Sequence, residues 1–513
     1  MHFDFGTERY SVKVRADFHL LGGSVRLRRL TVTNFRNLDG IDLMLAGSPV
    51  VVGENRVGKS NLVYAIRLVL DTSLGNSARR LKPEDFSAHL GSDPIGDGRE
   101  IRIAVEFDDF GDDPKTVAAI HPAIISGDPP QARIVYRFGP DQLALGSNEE
   151  GNETADPPED LGGDSYTWTI YGGEDENPRR IPVELRSRVH HEYLGALRDA
   201  EGDLRSWRRS PLRQLLERAA EESDPEELDS LREALNSANQ AVGNLSTVQE
   251  LATQIGNETN RLVGDIHALD PTLQVAPTDP DRAVRDLRLL LDGTAQRPLT
   301  SASLGSLNVL YLGLLELDLQ RRIADGEIQH ALISIEEPEA HLHPHLQRRV
   351  FRRIRESDGA TRSTLVTTHS PHIVSVSDPR KLVVLREGPH RSAASAAASA
   401  DLSDRDWDDI ARYLDATRSE LVFARRVLLV EGLAEQLVIP LLARSLEMDL
   451  DALGLTVCAV GGVHFYPYVK FLRALGIDHA VITDGDPRGP QEKTGSERLA
   501  KMAEEIGGEE TSP

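Results

Sequence analysis

Three groups of residues in this chain have the types and spacings that chemistry on phosphates requires. The first is Gly53-Glu54-Asn55-Arg56-Val57-Gly58-Lys59-Ser60, where two glycines, a lysine and a hydroxyl stand at the spacing of a phosphate-binding loop. It follows Pro49-Val50-Val51-Val52 and precedes Asn61-Leu62-Val63-Tyr64-Ala65-Ile66, so the order reads strand, loop, helix. Gly53 and Gly58 let backbone N–H groups approach phosphate oxygens, and the helix turns the positive end of its dipole to the anion. Lys59 then reaches the β- and γ-phosphates and Ser60 ligates Mg²⁺. Gly53, Asn55, Gly58, Lys59, Ser60 and Asn61 are the candidate nucleotide contacts.

The second group begins with Ala331-Leu332-Ile333-Ser334-Ile335-Glu336-Glu337, an apolar strand ending on two carboxylates. One is suited to hold Mg²⁺ through water and the next to polarise an attacking water; Glu336 takes the first role and Glu337 the second. After another apolar strand, Thr364-Leu365-Val366, comes Thr367-Thr368-His369-Ser370, which puts the His369 imidazole where a γ-phosphate could be sensed. Upstream, Ser303-Leu304-Gly305-Ser306-Leu307-Asn308 opens a helix with small polar residues, a second anion-binding N-terminus with Ser303 and Gly305 as its contacts. If the two helices start from opposite ends of the fold, they cannot serve the same phosphates, and the natural ligand of the second is a partner subunit's nucleotide.

The third group lies near the C-terminus. Arg426-Val427-Leu428-Leu429-Val430-Glu431-Gly432 is a strand ending on a carboxylate, with Glu435 one helical turn later. Ala480-Val481-Ile482-Thr483-Asp484-Gly485-Asp486 is another strand, ending on two aspartates. In a parallel sheet the carboxyl ends of strands share one edge, so Glu431, Glu435, Asp484 and Asp486 are expected to converge. Such a cluster repels itself unless one or two Mg²⁺ (or Mn²⁺) ions compensate it, and the chemistry that uses it is phosphodiester cleavage or transfer.

These sites must be positioned by more than one domain, and 513 residues suffice for two to four. No stretch of eighteen apolar residues occurs and Met1-His2-Phe3-Asp4-Phe5 does not begin a secretory signal, so no membrane span or export is indicated. The single cysteine, Cys458, excludes an internal disulfide framework and a cysteine-based zinc site, which fits a reducing cytoplasm; in its apolar run it reads as buried and inert. The net charge of −24 leaves local basic patches as the only way to meet nucleic acid. Arg348, Arg349, Arg352, Arg353 and Arg355 are one such patch, with pairing to the many carboxylates as its alternative reading, and Arg205, Arg208, Arg209 and Arg213 are another, with a solvated helix face as its alternative. His341, His343, His345, His369 and His372 read as turn and phosphate-sensing residues rather than zinc ligands.

Residues 1–24 read as an extension. Alternation at Val25–Val32, Ile41–Leu45 and Glu100–Phe107 predicts strands around one helix, and the Gly/Asp/Glu/Pro-rich stretch from Asp141 to Asn177 a loop insertion with one hairpin near Tyr166–Tyr171. The lobe at 25–181 gives way to a helical insertion at 182–297, read as an arm or dimer contact. Mixed structure returns at 298–392, the Ala/Ser run opens a linker at 393–425, and a new α/β domain occupies 426–513.

In this order the motifs resemble the ABC-type ATPase heads of SMC-like, RecF-like and OLD-family proteins. Gly53–Ser60 looks like Walker A, Ser303–Asn308 the signature motif, Ile333–Glu337 Walker B, Glu339–His341 the D-loop and His369 the switch histidine. Glu336 stands where most such heads have Asp, and the Glu-Glu-Pro-Glu form is similar to that of OLD-family ATPases. The resemblance implies ATP sandwiched between two heads. The C-terminal domain resembles Toprim, with Glu431 matching that family's glutamate and Asp484-Gly485-Asp486 its acidic pair, and Tyr413–Glu420 is similar to the OLD-family junction. After Asp486 only a Gly/Pro loop and one helix remain, which is short for a Toprim sheet; Arg488 or Lys493 would have to replace its later basic residue. The implied protein is α/β: an ABC/SMC-like P-loop ATPase head with a helical insertion, then a shortened Toprim-like domain. Its implied activity is that of an ATP-binding, Mg²⁺-dependent, homodimeric or larger DNA endonuclease. The alternative is an ATPase clamp or interaction module whose Toprim domain is inactive or completed by a helicase-like or nuclease partner.

Overall fold

The structure is a computed structural model and describes residues 25–109, 117–118, 120–141, 166–181, 183–196, 210–263, 280–285, 287–291, 297–359, 361–388, 391–415, 418–462 and 464–484, with a few positions between 497 and 504. The described chain gathers into two compact units, one of residues 337–350 with 194–327, the other of the remainder.

The larger unit holds three sheets. Strands β1 (Arg26–Thr33), β2 (Ile41–Met44), β4 (Ile101–Asp108), β5 (Ile124–Gly127), β6 (Pro130–Pro140), β7 (Tyr166–Gly172) and β8 (Arg179–Arg180) form an antiparallel sheet in the order β2-β1-β4-β6-β7-β8, with β5 on β6. The expected hairpin is β7 turning into β8; residues 142–165 of the expected loop insertion lie outside the described residues. The second sheet runs β15-β14-β3-β13-β12-β9, from β3 (Val50–Gly53), β9 (Val189–Leu194), β12 (His330–Glu336), β13 (Arg362–Thr368), β14 (Leu382–Glu387) and β15 (Ser392–Ala396). β3, β12 and β13 are buried along their whole length, as parallel strands covered on both faces must be. The third sheet, parallel, is β17-β16-β18: β16 (Arg426–Val430) between β17 (Leu455–Ala459) and β18 (Asp478–Val481).

Helix α1 (Lys59–Leu70) ties the first two sheets together. Leu62, Val63, Ile66, Val69 and Leu70 are each at most 2% exposed, and each such burial contributes about 1.5–3 kcal/mol. The first turn of α1 carries no acidic residue, so nothing in it offsets the positive end of the dipole. Its negative end is capped by two buried guanidiniums: Arg79 donates to the carbonyls of Leu68, Asp71 and Leu74, and Arg186 to that of Val69. Burial, and then the neighbouring Arg79, lowers the Arg186 pKa to about 10.

Two segments depart from the sequence reading. The Ala/Ser run expected to be a linker forms β15, antiparallel to β14, and the helix Asp404–Tyr413 follows it. Small side chains made the run look featureless, yet the Ser392 N–H donates to Asn37 O and backbone pairing carries the strand. In the expected helical insertion, Val189–Leu194 is strand β9 of the second sheet, because Val189, His191 and Leu194 are buried there.

The smaller unit is mainly helical: Pro211–Glu222, Pro225–Gly243, Ser246–Val263 and Leu304–Ala324, with the short pair β10 (Leu290–Leu291) and β11 (Arg297–Pro298). Arg218 pairs with Asp325 and Glu327, and Arg213 with Glu217. Arg205, Arg208 and Arg209 lie outside the described residues. Among the described residues no helix is long and apolar enough to cross a membrane.

Candidate functional site

β3 delivers the chain to the loop, and Gly58, with φ of 99°, caps α1 in the left-handed region. Arg56 is left-handed as well, with φ of 69°. The buried Lys59 ammonium donates to the carbonyls of Gly53 (3.0 Å) and Glu54 (2.8 Å), and the Ser60 hydroxyl lies at the mouth of α1. A Cβ on Gly58 would sit 2.7 Å from both amide atoms of Asn37. Gly58→Ala is therefore expected to cost about 1–2 kcal/mol through backbone strain alone and to weaken nucleotide binding by displacing Asn37, as thermal melts and nucleotide titration will show.

Asn37 belongs to a hydrogen-bonded relay that motif spacing did not disclose. Its amide donates to Ser392 Oγ (2.9 Å) and accepts from Asn61 (2.7 Å), while Arg36 donates to Asn61 Oδ1 (2.7 Å) and Asp85 (2.9 Å). The Arg36 guanidinium lies 5.1 Å from the Phe35 ring centre and 4.9 Å from that of Tyr64. Asn61 is thus placed as a link behind the loop; Asn55 is exposed on it.

At the end of β12, Glu336 is 7% exposed and bonded at both oxygens: Ser60 Oγ donates to Oε2 at 2.6 Å and Tyr193 Oη to Oε1 at 2.9 Å. Two residues earlier on each strand, His191 Nε2 and Ser334 Oγ lie 2.9 Å apart. β9 therefore meets β12 twice, at alternate positions. Burial, and then the Glu336 charge, pushes the Tyr193 phenol up to about 12. Burial also holds the His191 pKa well below its ordinary value, against the pull of Asp71. Folded His191 stays neutral where the unfolded chain gains a proton, so its contribution is complete above about pH 6.5 and is lost as pH falls below that value. Melting temperatures are expected to drop from pH 7.5 to 5.5, and less so in His191→Asn.

Glu337 belongs to the smaller unit and has a left-handed backbone, φ 47°, as does His341 at 63°. A non-glycine residue held so at the end of a strand marks a place where geometry outweighs local preference. His369 follows β13 directly and is partly buried. In the smaller unit Ser303 caps the helix Leu304–Ala324, accepting from Ser306 N at 3.2 Å. Gly305 is buried so close to the turn after Glu337 that a Cβ would meet His341 O at 2.5 Å.

In the third sheet, Glu431 is 6% exposed, and its Oε1 accepts from Thr483 Oγ1 and from Asp484 N (3.1 Å). Glu431 and Asp484 are thus brought together where β16 and β18 end. Glu435 reaches back to cap its own helix, with Oε2 accepting from Gly432 N at 3.0 Å. Among the described residues no three His, Cys, Asp or Glu side chains gather as metal ligands, and Asp486 lies outside them. Arg418, from the junction ahead of β16, donates to Ala459 O at 3.0 Å. Buried Cys458 has its thiol pushed up to about 11 by burial.

A contact absent from the sequence reading ties the phosphate loop to the start of the third sheet. Arg425, one residue before β16, forms a two-pronged bond with Glu54 of the phosphate loop, at 2.7 and 2.8 Å. Arg386 on β14 donates to the carbonyls of Ala424 (2.8 Å) and Arg425 (3.3 Å). A cavity of about 420 Å³ beside them is lined by Glu54, Arg386, Glu387, Arg425, Arg426 and Asp478 among others. Nothing in residue spacing could have announced this pair; it exists because β14 lies beside β3 in the sheet.

Comparison with known families matches residues 50–375 to the AAA domain, putative AbiEii toxin, Type IV TA system, and residues 422–486 to the Overcoming lysogenization defect protein-like TOPRIM domain. Endonuclease GajA of Bacillus cereus (strain VD045) is 23% identical over 476 residues, 92% of this chain and 77% of that protein. The OLD nuclease of Thermus scotoductus (strain ATCC 700910 / SA-01) is 27% identical over 493 residues, 93% of this chain and 85% of that one. Among solved structures, the C-terminal region of the Burkholderia pseudomallei OLD protein is 38% identical over 18% of this chain and 46% of that one, with a TM-score of 0.16. The chain belongs to the AAA domain family whose model spans most of it, and its segment 422–486 matches the OLD protein-like TOPRIM domain.

Proposed function

We propose that this chain is an ATP-hydrolysing, divalent-metal-dependent DNA endonuclease, acting as a homodimer or higher oligomer in anti-phage defence or DNA repair. What supports the reading most is the co-occurrence, in one compact unit, of two acidic sites: Glu336 bonded by the Ser60 hydroxyl, and Glu431 bonded by the Asp484 N–H where β16 and β18 end. Both are hard oxygen sets of the kind Mg²⁺ and Mn²⁺ take. In the first, Ser60 and Glu336 would hold the ion beside the phosphates, Lys59 would neutralise them, Glu337 would orient the attacking water and His369 would sense the γ-phosphate. In the second, Glu431 and Asp484, with Asp486 beyond the described residues, would hold the cation that supplies Lewis acidity to a phosphodiester. Ser303 and Gly305 would meet the nucleotide of another copy, making hydrolysis depend on assembly. Relatives named as nucleases lead to DNA as the substrate.

A second reading has its own observation. Because Glu435 caps its helix and no three-carboxylate group forms among the described residues, the Toprim domain would serve as a binding module for a nuclease or helicase-like partner. Plasmid incubated with purified protein and Mg²⁺ or Mn²⁺, with and without ATP, separates the two. Nicking by wild type that vanishes in a well-folded Glu431→Gln, Asp484→Asn double variant supports cleavage. ATP turnover without nicking in either, with a stable complex on pull-down, supports the module.

A further inference from the structure

We infer that Tyr193 is a positioning residue for the metal at the nucleotide site, the second anchor that keeps the Glu336 carboxylate aimed when the Ser60 hydroxyl also ligates the ion. The inference rests on the ATP-and-metal reading above. Its starting point is a closed ring of four side chains. Ser60 and Arg67 stand seven residues apart on one face of α1. Ser60 Oγ reaches Glu336 Oε2, Tyr193 Oη reaches Glu336 Oε1, and the Arg67 guanidinium lies 3.9 Å from the centre of the Tyr193 ring, itself held by Asp71 at 3.0 Å.

Each of the two hydroxyls on Glu336 has a different fate when a cation arrives. A hydroxyl that ligates a metal through a lone pair can still donate its proton, but its direction is then set by the ion as well as by Glu336, so Ser60 alone fixes the rotation of the carboxylate less firmly. Tyr193 is under no such demand, because its oxygen approaches the opposite carboxylate oxygen from the edge strand. Its ring is also immobilised twice: by Arg67 across its face and by the strand contact of His191 with Ser334 two residues before. A glutamate has one more rotatable bond than an aspartate, so an anchor of this kind matters more here than it would behind a shorter side chain. Outer hydrogen bonds of this sort typically change metal affinity about 10–100-fold.

The test is equilibrium binding of a fluorescent ATP analogue, first in EDTA and then against Mg²⁺, with wild type, Tyr193→Phe and Ser334→Ala. The phenylalanine keeps the ring over Arg67 and removes only the donor. Tyr193→Phe is expected to raise the Mg²⁺ concentration for half-maximal tightening about tenfold, with metal-free affinity and melting temperature unchanged. Ser334→Ala loosens the same pair of strands without touching the carboxylate, and should keep the wild-type Mg²⁺ requirement. An unchanged or lower requirement in Tyr193→Phe overturns the inference, and so does an equal shift in both variants, which would make Tyr193 a contact of the strand alone. If wild type binds no nucleotide, or binds it without regard to Mg²⁺, it is the underlying ATP-and-metal reading that fails instead.

Discussion

Lys59→Ala is expected to lower ATP turnover by about 10²–10³-fold, the loss that follows removal of a single preorganised donor to developing phosphate charge. The side chain is only 7% exposed, and its ammonium donates to two carbonyls of its own loop. A phosphate arriving at the start of α1 takes over those donor bonds without a search through rotamers. The fold should tolerate the change, because the loop is framed by wholly buried β3 and by the apolar face of α1 rather than by this lysine. Phosphate release and nucleotide binding measured beside a thermal melt decide the matter. Wild-type turnover in a well-folded Lys59→Ala protein would remove ATP hydrolysis from the loop.

How much of this was readable in advance depends on whether the chemistry is local. Gly53 to Ser60 is a continuous segment whose function lies in its own backbone, so eight residues of sequence disclose it. Glu336 was legible because an apolar strand ending on an acid is also a local pattern, and Glu431 for the same reason. Tyr193 was not: its role arises because β9 is the edge strand beside β12, a pairing across more than a hundred residues that periodicity cannot signal. Arg425 and Glu54 are farther apart still, and Asn37 meets Ser392 through the same kind of long-range pairing. The run of alanines and serines misled for a related reason, since a small-residue edge strand takes its order from backbone bonds to its neighbour and not from its own side chains.

These long-range contacts converge on the phosphate loop. Glu54 is held by the residue that precedes the Toprim strand, Val57 O accepts from Ser392 on the edge strand after β14, and Ser60 bonds the carboxylate that Tyr193 holds from the far edge. Arg425 and Glu54 are both substantially exposed, so the pair adds little to stability. Its geometry instead ties the phosphate loop to the residue before β16.

Where β16 ends, Glu431→Gln is expected to reduce DNA cleavage by about three orders of magnitude, several kcal/mol of lost charge stabilisation, while ATP turnover stays at the wild-type rate. Glutamine is the informative replacement because the bonds on Oε1 come from donors, the Thr483 hydroxyl and the Asp484 N–H, and an amide oxygen accepts both. The end of β18 should therefore stay where it is, and only the negative charge is lost. Alanine would instead leave those two donors facing each other in a buried site and confound chemistry with folding. If the glutamine variant nicks plasmid at the wild-type rate with a wild-type melt, Glu431 holds no catalytic cation. If its cleavage falls but returns at high Mn²⁺, the carboxylate is a ligand whose lost charge can be offset by mass action, which is the behaviour expected of a metal site and not of a folding defect.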